Sequence, residues 1–433
     1  MKNLNFRIPF LILVPLIFTI CSLFFETFGQ GTVVNTTFYS KSLKMNRNLQ
    51  IYLPKGYDQQ STIKYPVIYF LHGATLNQNS YTEYFGILNE LIGNNIISPA
   101  ILVKPDGSIG PWAGSFYTNS ELYGNFEDYI VYDLVEFIDS AYNTLKLREK
   151  RSIMGHSMGG LGAVKLALKH SDIFCAAASQ SGGLDFNHLT DRVPQLLSEN
   201  GGAPVSKYNP SAGLTTLLFY SMAGAYSPNI YNSPYPVDFP FDSLGNLIYT
   251  IWNKWQLHNP VLLARNYRPS NLALFFDCGK QDELGVYAFN TAFADSLKSM
   301  GLAYEFQSYN GGHIDQLLNR APIAFKFLDS VMNKTVGIIE ELPFQPATFY
   351  LYQNYPNPFN PSTKISWQSP VSSRQTVKIF NVLGKEVPTL IDEVKPAGSY
   401  EVRWNAVNLP SGIYFYQLKA DSYTETKKLL LLK

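Results

Sequence analysis

A serine placed between glycines is the feature of this chain with the clearest chemical potential. Residues 155–160 read Gly-His-Ser-Met-Gly-Gly, so Ser157 is the centre of a G-x-S-x-G pattern. The apolar run 151–154 precedes it and a run with helical spacing, 161–170, follows, which predicts a strand, a sharp turn and a helix. On such a turn the hydroxyl is lifted clear of the backbone, and the glycines avoid collisions with the neighbouring strand and helix. The pattern predicts a nucleophilic serine, and a small-residue turn without chemistry is the alternative.

A nucleophilic serine needs a base that accepts its proton, and histidine is the usual one. The chain has 6 histidines. His313 follows a predicted strand, Ala303–Tyr309, in a turn with two glycines, and it opens a predicted helix. Because ligand-handling residues gather at the carboxyl ends of strands in α/β sheets, His313 is the candidate base, and a satisfied loop histidine is the alternative. The others adjoin turns, end a helix or lie in an irregular stretch: His72, His156, His170, His188 and His258.

A carboxylate should orient that histidine, and the run 275–283 supplies three candidates. In the α/β-hydrolase order the acid lies between the serine and the histidine. Asp282 lies in the loop just beyond a predicted strand, whereas Asp277 still belongs to the strand. Glu283 is expected to open the next helix, where its charge would interact with the helix dipole. Asp282 is therefore the predicted acid, with Asp277 as the alternative.

Two backbone N–H groups should stabilise the negative charge that develops on the reacting carbonyl oxygen. One is expected from Met158, the residue after the nucleophile. The other should come from the loop after an early strand, and His72-Gly73-Ala74 follows such a strand. Gly73 would let the backbone approach the substrate closely, which makes the N–H of Ala74 the second candidate donor.

The elements that would position these residues alternate between strands and helices from Asn35 to about Met332. The predicted strands are Asn48–Leu53, Pro66–Leu71, Ala100–Val103, Ser152–Met154, Phe174–Ala178, Leu272–Phe276 and Ala303–Tyr309. The predicted helices are Tyr81–Ile92, Phe126–Tyr142, Gly159–Lys169, Glu283–Met300 and Ile314–Met332. Several strands are apolar on consecutive residues, as expected of strands buried on both faces. The alternation predicts a mostly parallel α/β sheet covered by helices, the α/β-hydrolase fold, over residues 30–334.

Residues 185–264 break this alternation and are rich in proline, glycine, asparagine and aromatic residues. An insertion at this point could lie over the site as a lid. A surface excursion that packs its own rings is the equal alternative. Trp112, Tyr117 and the aromatic residues of the insertion are weak candidates for lining an acyl or aryl pocket, and ordinary packing would explain them as well.

The character of the chain changes after Lys334. Residues 335–349 resemble a linker, and residues 350–433 alternate apolar and polar side chains without a histidine. The predicted strands there are Thr363–Trp367, Thr376–Phe380, Gly398–Trp404 and Ile413–Lys419. Short strands at roughly ten-residue spacing predict a small immunoglobulin-like antiparallel sandwich. With no titratable cluster, this second domain is not expected to carry chemistry.

The first 29 residues have the pattern of an export signal. Lys2 and Arg7 precede the apolar run Ile8–Phe25, and small residues follow with the spacing of a cleavage site near Gly29. The run approaches membrane-spanning length, so an uncleaved N-terminal anchor is the alternative. Cys21 is not expected to mark a lipoprotein, because the preceding isoleucine is too bulky for that processing site.

Composition excludes other classes of protein. The chain has 433 residues, of which 46% are hydrophobic and only 15% charged, so a large core and two or three domains are expected. A formal net charge of +1 without a basic cluster argues against nucleic acid as a partner. Cys175 and Cys278 lie in apolar, strand-like stretches and are predicted to be buried free thiols. No cluster with metal-ligand spacing is evident, so neither a metal nor an organic cofactor is expected.

The motifs of the first domain occur together in a known family. They are Tyr65–Gly73, Val103–Gly107, Glu127–Tyr142, Gly155–Gly160 and Gly311–His313. As a set they resemble the esterase D family of α/β-hydrolases, which includes feruloyl and acetyl-xylan esterases, siderophore esterases, S-formylglutathione hydrolases and mycolyltransferases. The resemblance covers about residues 35–333 and implies hydrolysis of carboxylic esters by Ser157, Asp282 and His313. The long stretch 185–264 departs from the compact family pattern.

The C-terminal segment resembles the type A sorting domain of type IX secretion cargo. The resemblance rests on residues 354–361, Gly384, residues 409–414 and residues 427–430. It implies a Bacteroidetes-type exporter as partner, which would carry the protein across the outer membrane after general secretion. The segment would then be removed or used for surface attachment. An accessory binding module, for example for carbohydrate, is the alternative.

Together these observations predict a secreted or surface-attached serine carboxylesterase. An extracellular setting favours feruloyl or acetyl esters of polysaccharides over glutathione thioesters as substrates. An acyltransferase or a peptidase on the same fold, and a non-catalytic surface binding protein that keeps a hydrolase scaffold, are the competing hypotheses.

Overall fold

The computed structural model describes residues 24–28, 31–267, 271–333, 349–354 and 357–432. Most of the predicted export signal and of the predicted linker lies outside these ranges. Across the described ranges, no helix combines the length and the apolar character that crossing a membrane requires.

The first region contains both strands and helices. Its strands are β1 (Phe24–Phe28), β2 (Gly31–Ser40), β3 (Met45–Leu53), β4 (Val67–Leu71), β5 (Ile101–Pro105), β6 (Asn119–Ser120), β7 (Gly124–Asn125), β8 (Arg151–His156), β9 (Ala176–Gln180), β10 (Ala273–Gly279) and β11 (Glu305–Tyr309). Its helices are α1 (Glu83–Gly93), α2 (Phe126–Asp128), α3 (Val135–Ala141), α4 (Met158–Lys169), α5 (Val193–Glu199), α6 (Leu214–Tyr226), α7 (Tyr249–Gln256), α8 (Pro260–Tyr267), α9 (Val286–Ser299) and α10 (Leu317–Met332). Short 3₁₀ turns at Arg148–Lys150 and Phe186–Arg192, and a π-helix at Tyr129–Leu134, complete it.

Nine of these strands form one sheet in the order β1-β2-β3-β5-β4-β8-β9-β10-β11. Strands β5, β4, β8, β9, β10 and β11 run parallel, and β1, β2 and β3 pair antiparallel at one edge. Parallel neighbours need crossover connections, and helices supply them. The predicted mostly parallel α/β-hydrolase sheet is confirmed. Because all parallel strands end at the same edge, the loops after β4, β8, β10 and β11 meet there.

Strand β4 shows how the sheet is covered on both faces. Its side chains alternate between two apolar layers. Ile68 and Phe70 pack into a layer with residues of α1 and α10, whereas Tyr69 and Leu71 pack into the layer of α4. All four side chains have at most 1% of their surface exposed. Burial on both faces explains why this strand is apolar on consecutive residues.

The edge of the sheet differs from the prediction in two places. Strand β2 is absent from the predicted strands, because its polar and apolar residues do not form a continuous apolar run. Strand β1 lies inside the predicted export signal and pairs with β2, with Phe24 opposite Asn35. Cleavage near Gly29, which stays a prediction, would remove β1 and leave β2 as the edge strand.

The insertion 185–264 is more regular than its composition suggested, because it contains α5, α6, α7 and part of α8. Its aromatic rings pack on one another. The ring centroids of Phe219 and Trp255 are 5.9 Å apart, and those of Tyr220 and Phe239 are 4.7 Å apart. Such pairs stabilise the insertion as a compact layer with its own apolar interior.

The C-terminal region is entirely β structure. Its strands are β12 (Tyr350–Leu351), β13 (Ser362–Ser369), β14 (Ser373–Asn381), β15 (Glu386–Lys395), β16 (Gly398–Asn405), β17 (Gly412–Ala420) and β18 (Tyr423–Leu431). They form two antiparallel sheets, β12-β13-β16 and β15-β14-β17-β18. The sheets share one core that contains Trp367 and Tyr416. The predicted all-β region is confirmed, but β15 and β18 were missed because charged residues interrupt them.

Candidate active site

Ser157 lies on a sharp turn between β8 and α4, as the sequence pattern predicted. Its backbone angles are φ 55° and ψ −118°, a strained conformation for a residue with a side chain. The turn is held from both sides: the Ser157 N–H donates to the Gln180 carbonyl at 2.8 Å, and the Ser157 carbonyl accepts the N–H of Leu161 at 3.0 Å. These bonds to β9 and α4 keep the half-buried serine at the carboxyl edge of the sheet.

The two glycines of the pattern are needed for close backbone packing. A Cβ added at Gly159 would lie 1.9 Å from the carbonyl oxygen of Leu71. A Cβ added at Gly155 would lie 2.4 Å from the carbonyl of Gly159. Since both contacts are with backbone atoms, no rotamer change could relieve them. The pattern therefore reflects the packing of α4 against β4 and β8 as well as the position of Ser157.

His313 and Asp282 lie in the loops after β11 and β10 and form a hydrogen bond. The His313 Nδ1 is 2.7 Å from the Asp282 Oδ2, and both side chains are buried. Because a carboxylate only accepts, the Nδ1–H donates and the Nε2 is left to act as a base. No described residue forms a hydrogen bond with the His313 Nε2, and His313 lines the same cleft as Ser157.

Backbone contacts hold these two loops together. A Cβ added at Gly279 would lie 2.0 Å from the carbonyl oxygen of Gly311, so the loops approach as closely as backbones can. The Gln281 N–H donates to the Gly311 carbonyl at 3.0 Å, and the Gly311 N–H donates to the Gln281 side chain at 2.7 Å. The rigid contact sets the relative position of Asp282 and His313.

Glu283 has a different role from the one predicted. Helix α9 begins at Val286, so Glu283 precedes it and does not open it. Its Oε2 instead accepts the backbone N–H of His313 at 3.0 Å. His313 likewise does not open a helix, because α10 begins at Leu317. The prediction failed because apolar spacing locates a helix but not its first residue.

Asp277, the alternative acid, lies apart from this pair. It is a residue of β10, and its Oδ2 accepts a hydrogen bond from the Arg320 Nε at 2.8 Å. Burial raises the pKa of Asp277 to about 7, and Arg320 opposes the rise. Among the described residues Asp282 is thus the carboxylate that contacts the His313 imidazole, while Asp277 of β10 pairs with Arg320 of α10.

His156 and Tyr81 support the loop that carries His313. The His156 Nε2–H donates to the backbone carbonyl of His313 at 3.0 Å, and the Tyr81 hydroxyl donates to the His156 Nδ1 at 2.8 Å. Burial, followed by the proximity of His313, lowers the pKa of His156 to about 3. His156 is therefore neutral, and it positions a backbone rather than moving protons.

The candidate oxyanion donors occupy adjacent loops. Met158 is the first residue of α4, so its N–H has no intrahelical acceptor. Ala74 follows β4, and Ala74, Met158 and Ser157 line one cleft. The loop of Ala74 is fixed by the buried His72, whose Nε2 accepts the N–H of Gly107 at 2.8 Å.

The cleft beside Ser157, called the deep cleft below, has a volume of about 710 Å³ including space open to solvent. Its walls come from the loops after the strands and from the insertion, chiefly α6. Most of the lining side chains are apolar, and four are phenylalanines. The lining residues are Ala74, Phe116, Ser157, Met158, Leu161, Ser181, Gly183, Phe186, Leu189, Arg192, Thr215, Leu218, Phe219, Met222, Leu284, Val286, Phe289 and His313. The insertion therefore packs its own rings and also covers the candidate site.

A second cavity, the open groove, also reaches Ser157 and His313. It is lined by Gly73, Ala74, Thr75, Leu76, Tyr81, His156, Ser157, Leu214, Leu218, Leu284, His313 and Ile314. Two of these side chains are largely exposed, Leu214 at 51% and Ile314 at 65%. Leu218 of α6 lines both cavities, as do Ala74, Ser157, Leu284 and His313. Both cavities open to solvent, but the side chains that line the deep cleft are mostly buried.

The two aromatic residues proposed for the pocket lie outside both cavities. Tyr117 is fully buried, and its hydroxyl donates to the carbonyl oxygen of His72 at 2.9 Å. Trp112 stacks on Tyr220 with 6.5 Å between the ring centroids. Both have the packing role that was their alternative interpretation. The rings that do line the deep cleft come from positions without any local sequence signal.

The two cysteines lie within or beside the strands of the large sheet, Cys175 just before β9 and Cys278 in β10. Cys175 and Cys278 are buried free thiols, as predicted. Burial raises the pKa of Cys175 to about 11 and that of Cys278 to about 12. Within the described ranges no group of three or more histidine, cysteine, aspartate or glutamate side chains is arranged to hold a metal ion.

A serine turn, a histidine–carboxylate pair and a cleft at the carboxyl edge of a parallel sheet define a hydrolase-type site. The family model for putative esterases matches residues 40–317 of this chain. The chain belongs to that family. A model for secretion-system C-terminal sorting domains matches residues 353–432. The sorting domain indicates that the protein is exported, either released or carried to the cell surface.

Individual relatives agree with this placement. An esterase of Mycobacterium tuberculosis (strain ATCC 25618 / H37Rv) is 26% identical over 290 residues, which are 64% of this chain and 54% of that protein. The chain thus spans about half the length of its curated relatives. A ferulic acid esterase structure is 21% identical with a TM-score of 0.51, covering 70% of this chain and 99% of that one. An S-formylglutathione hydrolase from Agrobacterium tumefaciens is 17% identical with a TM-score of 0.50, covering 71% and 98%. These two structures are similar to this chain in fold.

Proposed function

We propose that the protein is an exported serine carboxylesterase in which Ser157 is the nucleophile, His313 the base and Asp282 the acid that orients it. The observation that carries this proposal is the arrangement of His313. Its Nδ1 is bonded to Asp282 at 2.7 Å, while its Nε2 has no partner among the described residues and lies at a cleft shared with Ser157. The bond to Asp282 leaves the Nε2 free to accept a proton. The Ser157 Oγ and the His313 Nε2 are not hydrogen-bonded in this structure, so that contact must form when substrate enters.

The reaction has two halves that share the same groups. The Ser157 Oγ forms a bond to the ester carbonyl carbon, and its proton passes to the His313 Nε2. The bond to the alcohol oxygen then breaks, and the alcohol leaves with that proton. A water molecule next attacks the acyl-enzyme and gives a proton to His313, and the acid is released as the proton returns to Ser157. Asp282 keeps the imidazole in the tautomer that each step requires.

The N–H groups of Ala74 and Met158 would stabilise the oxyanion in both halves. Each donor of this kind typically raises the rate by a factor of about 10²–10³. Their positions are fixed by β4 and by the start of α4, so they need no rearrangement when charge develops. Substitution at either position tests the role only weakly, because the donors are backbone atoms.

The substrates expected from the sequence, feruloyl or acetyl esters of polysaccharides, fit the cavities in different ways. The phenylalanines that line the deep cleft suit an aryl or alkyl acyl group. The open groove would admit the alcohol portion and water. An acyl group larger than acetyl is therefore the better match. The sorting domain would place this reaction outside the cell, with the outer-membrane secretion machinery as its partner.

Covalent labelling tests the proposal. A fluorophosphonate should label the wild-type protein and the Ser181→Ala variant, since Ser181 lines the same cleft but lies outside the proposed machinery. Ser157→Ala should not be labelled, and its turnover of a 4-nitrophenyl ester should be lower by a factor of about 10⁵–10⁶. A Ser157→Ala variant that keeps a tenth of the activity would show that another group is the nucleophile.

A further inference from the structure

Arg192 is the one guanidinium among the described residues that line the deep cleft. It ends the 3₁₀ turn Phe186–Arg192 at the start of the insertion, and its side chain is half-buried. Most of the side chains that line the cleft with it are apolar, including Phe186, Leu189 and Phe289. A cation in such a setting costs free energy unless a counter-charge or a hydrogen-bond acceptor is supplied.

No described residue supplies that counter-charge. Arg192 forms neither an ion pair nor a side-chain hydrogen bond within the described ranges. The neighbouring Asp191 is paired with His188, whose Nδ1 lies 2.7 Å from its Oδ2. Asp185, at the other end of the same turn, accepts hydrogen bonds from Asn187 and Asn259.

The carboxylates of the active-site loop also have hydrogen-bond partners other than Arg192. The guanidinium lies beside this loop, because a Cβ added at Gly285 would be 3.5 Å from an Arg192 terminal nitrogen. In the loop, Asp282 accepts from His313 and from the N–H of Leu284 at 2.9 Å. Glu283 accepts the backbone N–H of His313. The guanidinium is therefore next to the catalytic loop, and its donors have no partner among the residues that the structure describes.

We propose that Arg192 binds a carboxylate at the far end of the substrate's acyl group, so that the enzyme prefers esters in which an apolar acyl chain ends in a negative charge. This inference rests on the proposed function and names its substrate class. A guanidinium holds a carboxylate through two parallel hydrogen bonds, which gives direction as well as attraction. The apolar walls between Ser157 and Arg192 would contact the methylene or ring segment that joins the two ends.

The acyl portion, rather than the alcohol, is assigned to the deep cleft because of the shape of the site. The alcohol must leave and water must enter before the acyl-enzyme is resolved. The open groove, with Leu214 and Ile314 exposed, offers that path. The deep cleft is walled by buried side chains such as Phe116 and Phe219, so it suits the group that stays bound to Ser157. A feruloyl or acetyl group would leave Arg192 unpaired. Esters of these groups should therefore have a lower kcat/KM than an ester whose acyl chain ends in a carboxylate.

The test compares two esters with the same six-carbon acyl chain, 4-nitrophenyl hexanoate and the mono-4-nitrophenyl ester of adipic acid. We expect the full-length wild-type protein to hydrolyse the adipate ester with the higher kcat/KM. In Arg192→Gln the ratio of the adipate to the hexanoate kcat/KM should fall about 10–100-fold, the usual effect of losing a charge-assisted hydrogen bond. Arg192→Lys should keep part of the preference, because lysine keeps the positive charge but cannot donate two parallel hydrogen bonds to one carboxylate.

Three controls separate this inference from general effects. Arg265→Gln removes an exposed arginine of α8 and should keep the wild-type ratio. In the wild type, raising the salt concentration from about 0.02 M to about 0.5 M should lower the adipate preference, because salt screens partly exposed charges. A carboxylate on the alcohol side, as in 4-acetoxybenzoate compared with phenyl acetate, should bring no preference that depends on Arg192.

Failure of this inference and failure of the proposed function give different results. An unchanged adipate-to-hexanoate ratio in Arg192→Gln, with Ser157-dependent hydrolysis of hexanoate, overturns the role of Arg192 and leaves the esterase mechanism intact. Dependence on Arg192 for the 4-acetoxybenzoate alone overturns the assignment to the acyl side. Hydrolysis of hexanoate that persists in Ser157→Ala overturns the proposed function itself.

Discussion

The α/β region and the C-terminal sandwich differ in whether they bury acidic, basic and histidine side chains. The described part of the α/β region buries twelve acidic, basic and histidine side chains: His72, Lys104, Asp106, Glu127, Arg151, His156, Lys165, His170, Asp185, Asp277, Asp282 and His313. In the described part of the sandwich, the buried polar side chains are all neutral: Asn354, Thr363, Ser369 and Gln375. Burying a charge or a titratable group costs free energy unless specific partners offset it. The α/β region supplies those partners, and the sandwich avoids the cost.

The difference follows from how each sheet is connected. Crossover helices bring the ends of parallel strands to one edge, and the insertion covers that edge, so polar loop residues become buried beside one another. In an antiparallel sandwich one face of each strand enters the core and the other faces solvent, so charges stay outside. The pair Arg374–Asp392 is largely exposed and should contribute little to stability. The candidate chemistry therefore lies in the α/β region, whereas the described part of the sandwich buries no charged side chain.

Of the predictions below, substitution of the two aspartates in and after β10 should have the largest effect on kcat. It compares two buried carboxylates of the α/β region that have different partners. Asp282→Asn should lower kcat by about 10⁴, because an amide can hold the imidazole in the wrong tautomer. Asp277→Asn, which changes an ion pair with Arg320, should lower kcat less than tenfold. Steady-state kinetics with a 4-nitrophenyl ester would measure both. A larger loss of kcat in Asp277→Asn than in Asp282→Asn would mean that the acid has been assigned to the wrong aspartate.

Removing the support beneath His313 should have a smaller effect. Tyr81→Phe deletes the hydroxyl that donates to the His156 Nδ1 and leaves that buried nitrogen without a donor. We expect kcat to fall about tenfold, since one lost hydrogen bond costs about 1–2 kcal/mol. Tyr231→Phe, which alters an exposed ring of the insertion, is the matched control. A Tyr81→Phe variant with wild-type kcat would show that this support does not position the base.

The buried Asp277 should make stability depend on pH. Its pKa in the folded protein is raised to about 7 by burial, above the value in the unfolded chain, so the folded state binds the proton more tightly. Its contribution is present at low pH and is lost as the pH rises through 7, by up to about 1.4 kcal/mol for each pH unit.

Urea unfolding at pH 5, 6 and 7 would measure this contribution. The free energy of unfolding of the wild type should fall relative to that of Asp277→Asn as the pH rises. Parallel curves for the two proteins would contradict the prediction and would indicate that Arg320 keeps the carboxylate ionised throughout.

Removal of the sandwich should have the smallest effect on chemistry. A chain that ends at residue 348 keeps all the buried ionisable groups of the α/β region, so kcat should change less than twofold. Export, in contrast, should be lost, because the sorting domain is missing. Activity of the purified protein and its distribution between cells and medium would measure the two properties separately. A large fall in kcat would show that the regions are coupled in function.

Much of this architecture could be predicted from local patterns. The G-x-S-x-G turn, the consecutive apolar residues of buried strands and the alternation in the sandwich are short-range features, and the structure agrees with each of them. The order of serine, acid and histidine along the chain limited the candidates to a few residues. Errors concerned the first residues of helices, the polar strand β2 and the regularity of the insertion. In these places tertiary packing outweighs local propensity.

The sequence by itself determined the chemical types that are present and the ends of the strands on which they lie, because these depend on neighbouring residues. Tertiary structure alone decided which groups meet. It selected Asp282 over Asp277 as the contact of His313, gave Glu283 a backbone partner and excluded Tyr117 from the cleft. It also placed Arg192 of the insertion beside a loop almost one hundred residues later in the chain. Such contacts depend on the path of the whole backbone, and no local pattern encodes them.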